Sequence, residues 1–316
     1  MFLSIILQFL YYNLKIMSIN EKIENLRDQL TKAGRDEYII PSADPPMGEY
    51  VPDRWAERAW ISGFTGSAGT VVITHDFAGL WTDSRYFIQA DEQLKDSEME
   101  LVKLQTPHTP EHIEWLSEKL NAKARVGING LMVSTAIVSH ITSLFSKKEI
   151  ELITDLDMVQ HIWNDRPELP DNMVIDHIVK FAGKKRQEKI KEIREEMKTD
   201  NASHHLVCTL DEIAWALNLR GADVAFNPLF VSYLLISQSQ ITLYINRKKL
   251  TASLYRKLEH AKITIKGYQA IFTDLKNLNS ENTLMIDPSK TNQALVNCFG
   301  NDLHIIEDLG YITRMK

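Results

Sequence analysis

The residues of this chain that could carry catalytic chemistry are few and widely spaced. His108 and His112 have the i, i+4 spacing that places two imidazoles on one helix face, as a zinc site can require. Pro110 lies between them, and proline favours the first turn of a helix, so we expect His108 to precede that helix. No carboxylate accompanies the pair in the H-E-x-x-H pattern. We therefore predict no metal site at this position.

The other groups of acidic residues and histidines have structural explanations. His204 and His205 would point to opposite faces of an extended strand, so the two rings cannot bind one ion. Asp211 and Glu212 stand at the start of a predicted helix, where the helix dipole favours carboxylates without any catalytic role. Residue types and spacing alone therefore indicate no catalytic residues and no metal ligands on this chain.

A glycine-rich segment at 60–86 is the densest set of local signals, and it reads W-I-S-G-F-T-G-S-A-G-T-V-V-I-T-H-D-F-A-G-L-W-T-D-S-R-Y. Glycine loops bind phosphate when they follow a strand and open a helix, whereas here they precede the β-branched run 70–74. Ser67 lacks the G-x-S-x-G pattern of a serine nucleophile because Thr65 stands two residues before it. The segment predicts a tight bend from a helix into a hairpin.

The composition predicts a globular protein with two domains. The chain has 316 residues, of which 44% are hydrophobic, and it exceeds the size of one typical domain. A net charge of -6 gives no general attraction to nucleic acid or to an anionic membrane. Cys208 and Cys298 lack C-x-x-C or zinc spacing, so we interpret both as buried thiols of a reducing compartment. This predicts a cytoplasmic protein.

The first sixteen residues are apolar but lack a basic leading region and a small-x-small cleavage site. They are also short for a membrane span. We interpret 1–16 as a spurious extension from an early start codon, with Met17 as the true start. A genuine membrane-seeking anchor is the alternative, and only in that case do we expect contact with a membrane.

Hydrophobic periodicity predicts alternating helices and strands throughout the chain. The predicted helices are 18–33, 53–61, 85–94, 109–120, 135–146, 183–198, 211–217, 252–259, 268–278 and 291–298. The predicted strands are 38–40, 101–104, 125–128, 150–153, 205–209, 230–236, 241–245, 263–265, 284–287 and 304–306, besides the hairpin. Two prolines in 165–171 favour a linker, which divides the chain into domains 17–164 and 172–316.

The second half repeats the outline of the first. Trp60 precedes Gly66 by six residues, and Trp215 precedes Gly221 by six residues. In each half, a helix that carries the tryptophan leads through the glycine into a hairpin, with arms at 71–73 and 234–236 in matching places. This pattern predicts an internal duplication.

Six ordered motifs extend the analysis beyond local patterns. They are Y-I-I-P-S-A-D (38–44), E-Y-V-P-D-R-W (49–55), W-I-S-G-F-T-G-S-A-G-T (60–70), L-W-T-D-S-R-Y-F-I-Q-A (80–90), I-W-N-D-R-P (162–167) and L-D-E-I-A-W-A-L-N-L-R-G-A-D-V-A-F-N-P-L-F (210–230). Together they resemble the Xaa-Pro aminopeptidases of the three-domain aminopeptidase P type. The resemblance covers 17–316.

The resemblance implies an α/β fold of two tandem creatinase/prolidase N-terminal-like domains, each a mixed β-sheet flanked by helices. In the family a C-terminal pita-bread domain follows and binds two divalent metal ions, typically manganese, which activate water to cut the bond before a penultimate proline. The resemblance implies proline-containing peptides as substrates and a homodimer in full length. We expect no cofactor on this chain, which lacks the catalytic domain.

This chain is accordingly expected to be the non-catalytic N-terminal portion of such an enzyme, a fragment or truncated product that serves substrate gating and oligomerisation. The alternative is a free-standing, non-enzymatic binding or regulatory module derived from one. The resemblance gives Glu49 and Arg85 as candidates for the substrate entrance or the dimer contact, although Arg85 could simply pair with Asp83. Pro46 stands where the family usually has a histidine, so the chain departs from the family pattern at this position.

Overall fold

The computed structural model describes residues 17–107 and 109–315. The interpretation of 1–16 and the prediction for His108 lie outside the described residues. Within them, no helix combines the length and the apolar composition that a membrane span needs.

Helices and strands alternate along the described chain. The α-helices are α1 (Ile19–Ala33), α2 (Glu57–Ser62), α3 (Phe87–Gln93), α4 (Glu111–Lys119), α5 (Thr135–Phe145), α6 (Val179–Ala182), α7 (Arg186–Thr199), α8 (Leu210–Leu217), α9 (Ala252–His260), α10 (Ala270–Lys276), α11 (Gln293–Val296) and α12 (Tyr311–Met315). The strands are β1 (Glu37–Pro41), β2 (Thr70–Thr74), β3 (Ala78–Thr82), β4 (Glu100–Lys103), β5 (Arg125–Ile128), β6 (Glu151–Ile153), β7 (Ile175–Asp176), β8 (His204–Val207), β9 (Leu219–Arg220), β10 (Ser232–Ser237), β11 (Ile241–Ile245), β12 (Ile263–Lys266), β13 (Thr283–Ile286) and β14 (His304–Glu307).

The strands form two six-stranded mixed sheets of the same topology. The first has the order β4-β3-β2-β1-β5-β6, and the second has the order β12-β11-β10-β8-β13-β14. In each sheet the third strand in the order is antiparallel to both neighbours, and the other pairings are parallel. Val72 lies opposite Ile39, and Leu235 lies opposite Leu206. The predicted duplication and the matching hairpin arms are confirmed.

Helix α1 shows how local signals and burial agree. The Ser18 side chain accepts a hydrogen bond from the Glu21 N–H, and the Glu21 carboxylate accepts one from the Ser18 N–H, which forms a capping box. Gly34 ends the helix in the left-handed region, at φ 61°. Ile23 and Leu30, on the apolar face, are fully buried. The predicted start and stop are both confirmed.

The prediction of one continuous helix over 53–61 is wrong. The structure instead has a short 3₁₀ turn over Asp53–Trp55, followed by α2. Ala56, at ψ 42°, separates the two. Trp55 and Glu57 are both buried, and a continuous helix would direct residues two positions apart to different faces. The break therefore lets both side chains face the interior.

The bend after α2 has the predicted form. Gly63 ends the helix at φ 70°, whereas Gly66 does not adopt positive φ. A Cβ atom at Gly66 would overlap the Phe64 ring and lie 2.8 Å from Cδ1 of Tyr86. Gly66 is therefore required by close packing and not by a left-handed backbone conformation.

The predicted linker, 165–171, contains neither helix nor strand. Arg166 of this segment is nevertheless buried, because its side chain is only 8% exposed. The guanidinium binds Glu57 and Asp157, each at 2.6 Å, and its Nε donates to the Arg54 carbonyl at 2.8 Å. Burial raises the pKa of Glu57 to about 8; Asp157 adds to this rise and Arg166 opposes it. Arg166 thus fixes the segment to the first domain.

The two domains meet through backbone hydrogen bonds between segments that lie outside the sheets. An antiparallel bridge joins Ser134 to Asn292. On either side of it, the Thr135 N–H donates to the Thr291 carbonyl at 3.0 Å, and the Gln293 N–H donates to the Val133 carbonyl at 2.9 Å. Trp55 and Met132 of the first half pack in one apolar cluster with second-half residues that include Leu206, Tyr233 and Leu295.

We expect Gly66→Val to lower the free energy of unfolding by about 1 to 3 kcal/mol, because the added side chain overlaps Phe64 in a close-packed bend. Gly267→Val is the matched control, since no atom lies within 4 Å of a Cβ at Gly267. Urea unfolding of the two variants and the parent chain measures the difference. If Gly66→Val and Gly267→Val unfolded at the same urea concentration, the bend would have room for a side chain at position 66, and the packing explanation would be wrong.

We expect Arg166→Met to lower the free energy of unfolding by about 3 to 5 kcal/mol, because it leaves the buried Glu57 and the half-buried Asp157 without their cation. Arg166 opposes the rise in the Glu57 pKa, so its removal raises that pKa further and makes ionisation of the buried carboxyl more costly; the deficit relative to the parent chain should therefore be larger at pH 8 than at pH 5. Chemical unfolding at both pH values measures this.

The control for that experiment is Lys191→Met, which removes an exposed pair to Glu195 at 3.8 Å and should cost about 0 to 1 kcal/mol. Equal losses in the two variants at either pH would contradict the assignment of Arg166 as a buried anchor.

Candidate functional site

A cavity of about 560 Å³ opens at one edge of the first sheet. Strands β1, β3 and β5 end at this edge, β2 begins there, and α4 and α5 cover one side. We call it the sheet-edge cavity. Most of its lining is apolar, and its polar lining residues are Ser42, Ser67, Thr70, Thr82, Asp83, Thr109, His112 and His140. An apolar cleft with a few polar groups is the usual form of a small-ligand site.

Arg85 lies beside this cavity and pairs locally with Asp83, which lines it. Nε of Arg85 is 2.8 Å from Oδ1 of Asp83, and Nη2 is 2.8 Å from Oδ2. These hydrogen bonds raise the pKa of the Arg85 guanidinium. The Asp83 side chain is 4% exposed and that of Arg85 is 57% exposed, so the arginine presents a free face to solvent above a buried carboxylate.

The bend of the glycine-rich segment is held at the cavity by Arg58, a residue that the sequence analysis did not single out. Nε of Arg58 donates to Oγ of Ser42 at 2.9 Å, and its terminal nitrogens donate to the carbonyls of Phe64 and Gly66. Ser42 in turn donates to the Gly69 carbonyl at 2.7 Å. Burial lowers the pKa of Arg58 to about 10. No local pattern distinguishes this arginine from an exposed one in a short helix.

His112 is the half-buried imidazole of the cavity. Its ring centroid lies 6.3 Å from that of Trp81, and burial lowers its pKa to about 4. The ring is therefore neutral at pH 7. Helix α4 begins at Glu111, after Pro110. His204 and His205 occupy successive positions of β8, so their side chains point to opposite faces of the sheet, as predicted.

Glu49 lines a different cavity, of about 290 Å³, between the loop 44–50 and the second domain. We call it the interdomain groove. Glu49 is exposed, and within the described chain it makes neither a hydrogen bond nor an ion pair. Asp44, at the base of the loop, is fully buried; its Oδ1 accepts the Gly48 N–H at 2.7 Å, and burial raises its pKa to about 7. Pro46 is buried beside it.

The structure does not bring Glu49 and Arg85 together. No hydrogen bond or ion pair between described residues joins them. Glu49 lines the interdomain groove, whereas Arg85 lines neither cavity and binds Asp83 of the sheet-edge cavity; Met47 lines both cavities. Oδ2 of Asp44 and Oγ1 of Thr209 are buried on the groove without partners among the described residues. In 17–107 and 109–315, no group of three His, Cys, Asp or Glu side chains could hold a metal ion.

Both halves of the chain match sequence models of the same kind of domain. A sequence model of the Creatinase/Prolidase N-terminal domain matches residues 22–159, and a second model of the same description matches 165–316. The two matches correspond to the two sheets of the duplicated fold.

Curated relatives extend the match across the junction. Aminopeptidase P2 of Arabidopsis thaliana is 36% identical over 287 residues, which are 89% of this chain and 40% of that protein. Xaa-Pro aminopeptidase 1 of Dictyostelium discoideum is 37% identical over 292 residues, which are 89% of this chain and 46% of that protein. This chain thus spans less than half the length of either relative.

A solved structure agrees with the sequence relatives. The X-prolyl aminopeptidase of Caenorhabditis elegans, described as a cytosolic enzyme with a di-nuclear active site, superposes with a TM-score of 0.86. The match has 26% sequence identity and covers 93% of this chain and 50% of that one. The chain therefore belongs to the creatinase/prolidase N-terminal domain family, as two such domains in tandem that resemble those of Xaa-Pro aminopeptidases.

Proposed function

We propose that this chain is the non-catalytic N-terminal portion of a metal-dependent Xaa-Pro aminopeptidase and serves substrate gating and oligomerisation. The observation that carries the proposal is the superposition of 93% of the chain on half of a di-nuclear X-prolyl aminopeptidase, with both domains in place. In this proposal the full-length protein removes the residue that precedes a proline, forms a homodimer and is cytoplasmic. Two divalent metal ions, typically manganese, belong to a further, catalytic domain.

The gating role is assigned to Arg85 and Glu49 as separate elements. Asp83 orients the Arg85 guanidinium through two hydrogen bonds at 2.8 Å, while more than half of the arginine side chain stays accessible. Such a fixed, exposed cation can attract the carboxylate of an entering peptide. Glu49 is exposed beside the junction of the two domains, where a free carboxylate can bind the ammonium of a peptide or a basic group of a second subunit.

We expect the isolated 316-residue chain, supplied with Mn²⁺, not to release the first residue from an X-Pro peptide, because the metal-bound water of the proposed mechanism belongs to another domain. Chromatographic detection of the released amino acid measures this. The positive control is the same chain joined to the catalytic portion of the Dictyostelium relative. Metal-dependent turnover by the isolated chain above a buffer blank would contradict the non-catalytic assignment.

In that joined protein, we expect Arg85→Ala to lower kcat/KM for X-Pro peptides about two- to fivefold, the size of one exposed charged contact. The effect on the free energy of unfolding should stay within about 1 kcal/mol, since Arg85 is exposed. Glu49→Ala is tested in parallel. Lys147→Ala, at an exposed site distant in sequence from both residues, is the control.

Unchanged kinetics of both variants, together with an unchanged oligomeric state by light scattering, would overturn the gating and dimer assignments. A large loss of stability in Arg85→Ala with normal kcat/KM would instead make Arg85 a structural residue. A free-standing binding module is supported if the joined protein assembles but the presence of this chain leaves peptide turnover unaffected.

A further inference from the structure

A second-domain cavity of about 430 Å³ concentrates positive charge where β7 and α9 meet the N-terminus of α7. We call it the α7 cavity. Its charged and imidazole lining consists of Asp176, His177, Lys185, Arg186, Lys257 and His260. The chain as a whole carries a net charge of -6, so this cavity differs in sign from the average surface.

Arg186 is the central donor of the α7 cavity. It is the first residue of α7 and only 7% exposed. Its Nη2 donates to Oδ1 of Asp176, whereas its Nη1 is buried and has no hydrogen-bond partner among the residues that the structure describes. A buried guanidinium N–H without an acceptor is costly. Arg186 lines the cavity, so a ligand bound there can supply an acceptor to its guanidinium.

The carboxylates nearby do not neutralise the site. Asp176 is shared, because Lys257 also donates to it. Glu188 accepts the Lys185 N–H at 3.0 Å and so caps the helix. The cations Lys185, Arg186 and Lys257 therefore outnumber these two carboxylates. The helix itself adds to the excess, since α7 has 14 residues and the positive end of its dipole lies here.

We propose that the α7 cavity binds a phosphate group. A tetrahedral dianion has enough oxygens to accept from the Arg186 guanidinium and from a lysine at the same time, and helix N-termini favour phosphate. The volume exceeds that of one phosphate, and the exposed side chains of Ile178 and Val179 also line the cavity. The phosphate can therefore belong to an organic molecule with an apolar part. The inference is independent of the peptidase assignment.

The test is thermal unfolding of the whole chain at pH 7 with increasing inorganic phosphate, with NaCl adjusted to hold the ionic strength constant. We expect a saturable rise in Tm, because a ligand of the folded state stabilises it. Lys257→Gln should weaken the apparent affinity about tenfold, as for the loss of one charged hydrogen bond. Lys198→Gln, at the opposite end of α7, should bind like the parent chain.

Arg186→Met should abolish the phosphate-dependent rise in Tm; if this buried variant does not fold, Lys257→Gln, with a lysine side chain that is 60% exposed, decides the question. An equal rise in Lys257→Gln and in the parent chain, or no saturable rise beyond the NaCl control, would overturn the proposal. Phenyl phosphate distinguishes the source: tighter binding than inorganic phosphate supports an organic phosphate, and equal binding supports the free ion.

Discussion

The relative position of the two domains depends on the short backbone pairing about Ser134 and Asn292. Residues 129–136 follow β5, and 287–294 follow β13, the corresponding strand of the second sheet. In this alignment Ser134 corresponds to Asn292, so the central pair joins two equivalent residues. The two flanking hydrogen bonds, from Thr135 to Thr291 and from Gln293 to Val133, are equivalent to each other. Pairing between equivalent residues is the signature of an isologous, two-fold contact. At this bridge the duplicated domains therefore meet with local two-fold symmetry, as the subunits of a symmetric dimer would, within one chain.

A second consequence of the duplication concerns how the chain leaves each sheet. Glu57 and Glu212 both stand three residues before the tryptophan of their repeat, and both are buried. Glu57 binds Arg166, which follows the last strand of the first sheet, and Glu212 accepts a hydrogen bond from Thr313, which follows the last strand of the second. The same position in each repeat thus fixes the departing segment, with an ion pair in one copy and a neutral donor in the other.

The sequence predicted most elements because their signals are local. The capping box at Ser18, the β-branched arm of the glycine-rich hairpin and the tryptophan-to-glycine spacing each act within a few residues. The two-residue strands β7 and β9 were missed because they carry no periodicity. Arg58 and Asp44 were missed because burial of a charged residue depends on contacts distant in the chain, such as Arg58 with Ser42.

The two candidate residues consequently depend on different parts of the structure. Arg85 is oriented by Asp83, two residues away, so the first domain alone determines its position. The loop that carries Glu49 is bound from the other domain, because Nδ2 of Asn292 donates to the Pro45 carbonyl at 2.9 Å. Asn292 is also the residue of the two-fold bridge. The domain junction and the placement of Glu49 therefore share one residue, Asn292, through its backbone in the first case and its side chain in the second, whereas Arg85 is independent of it.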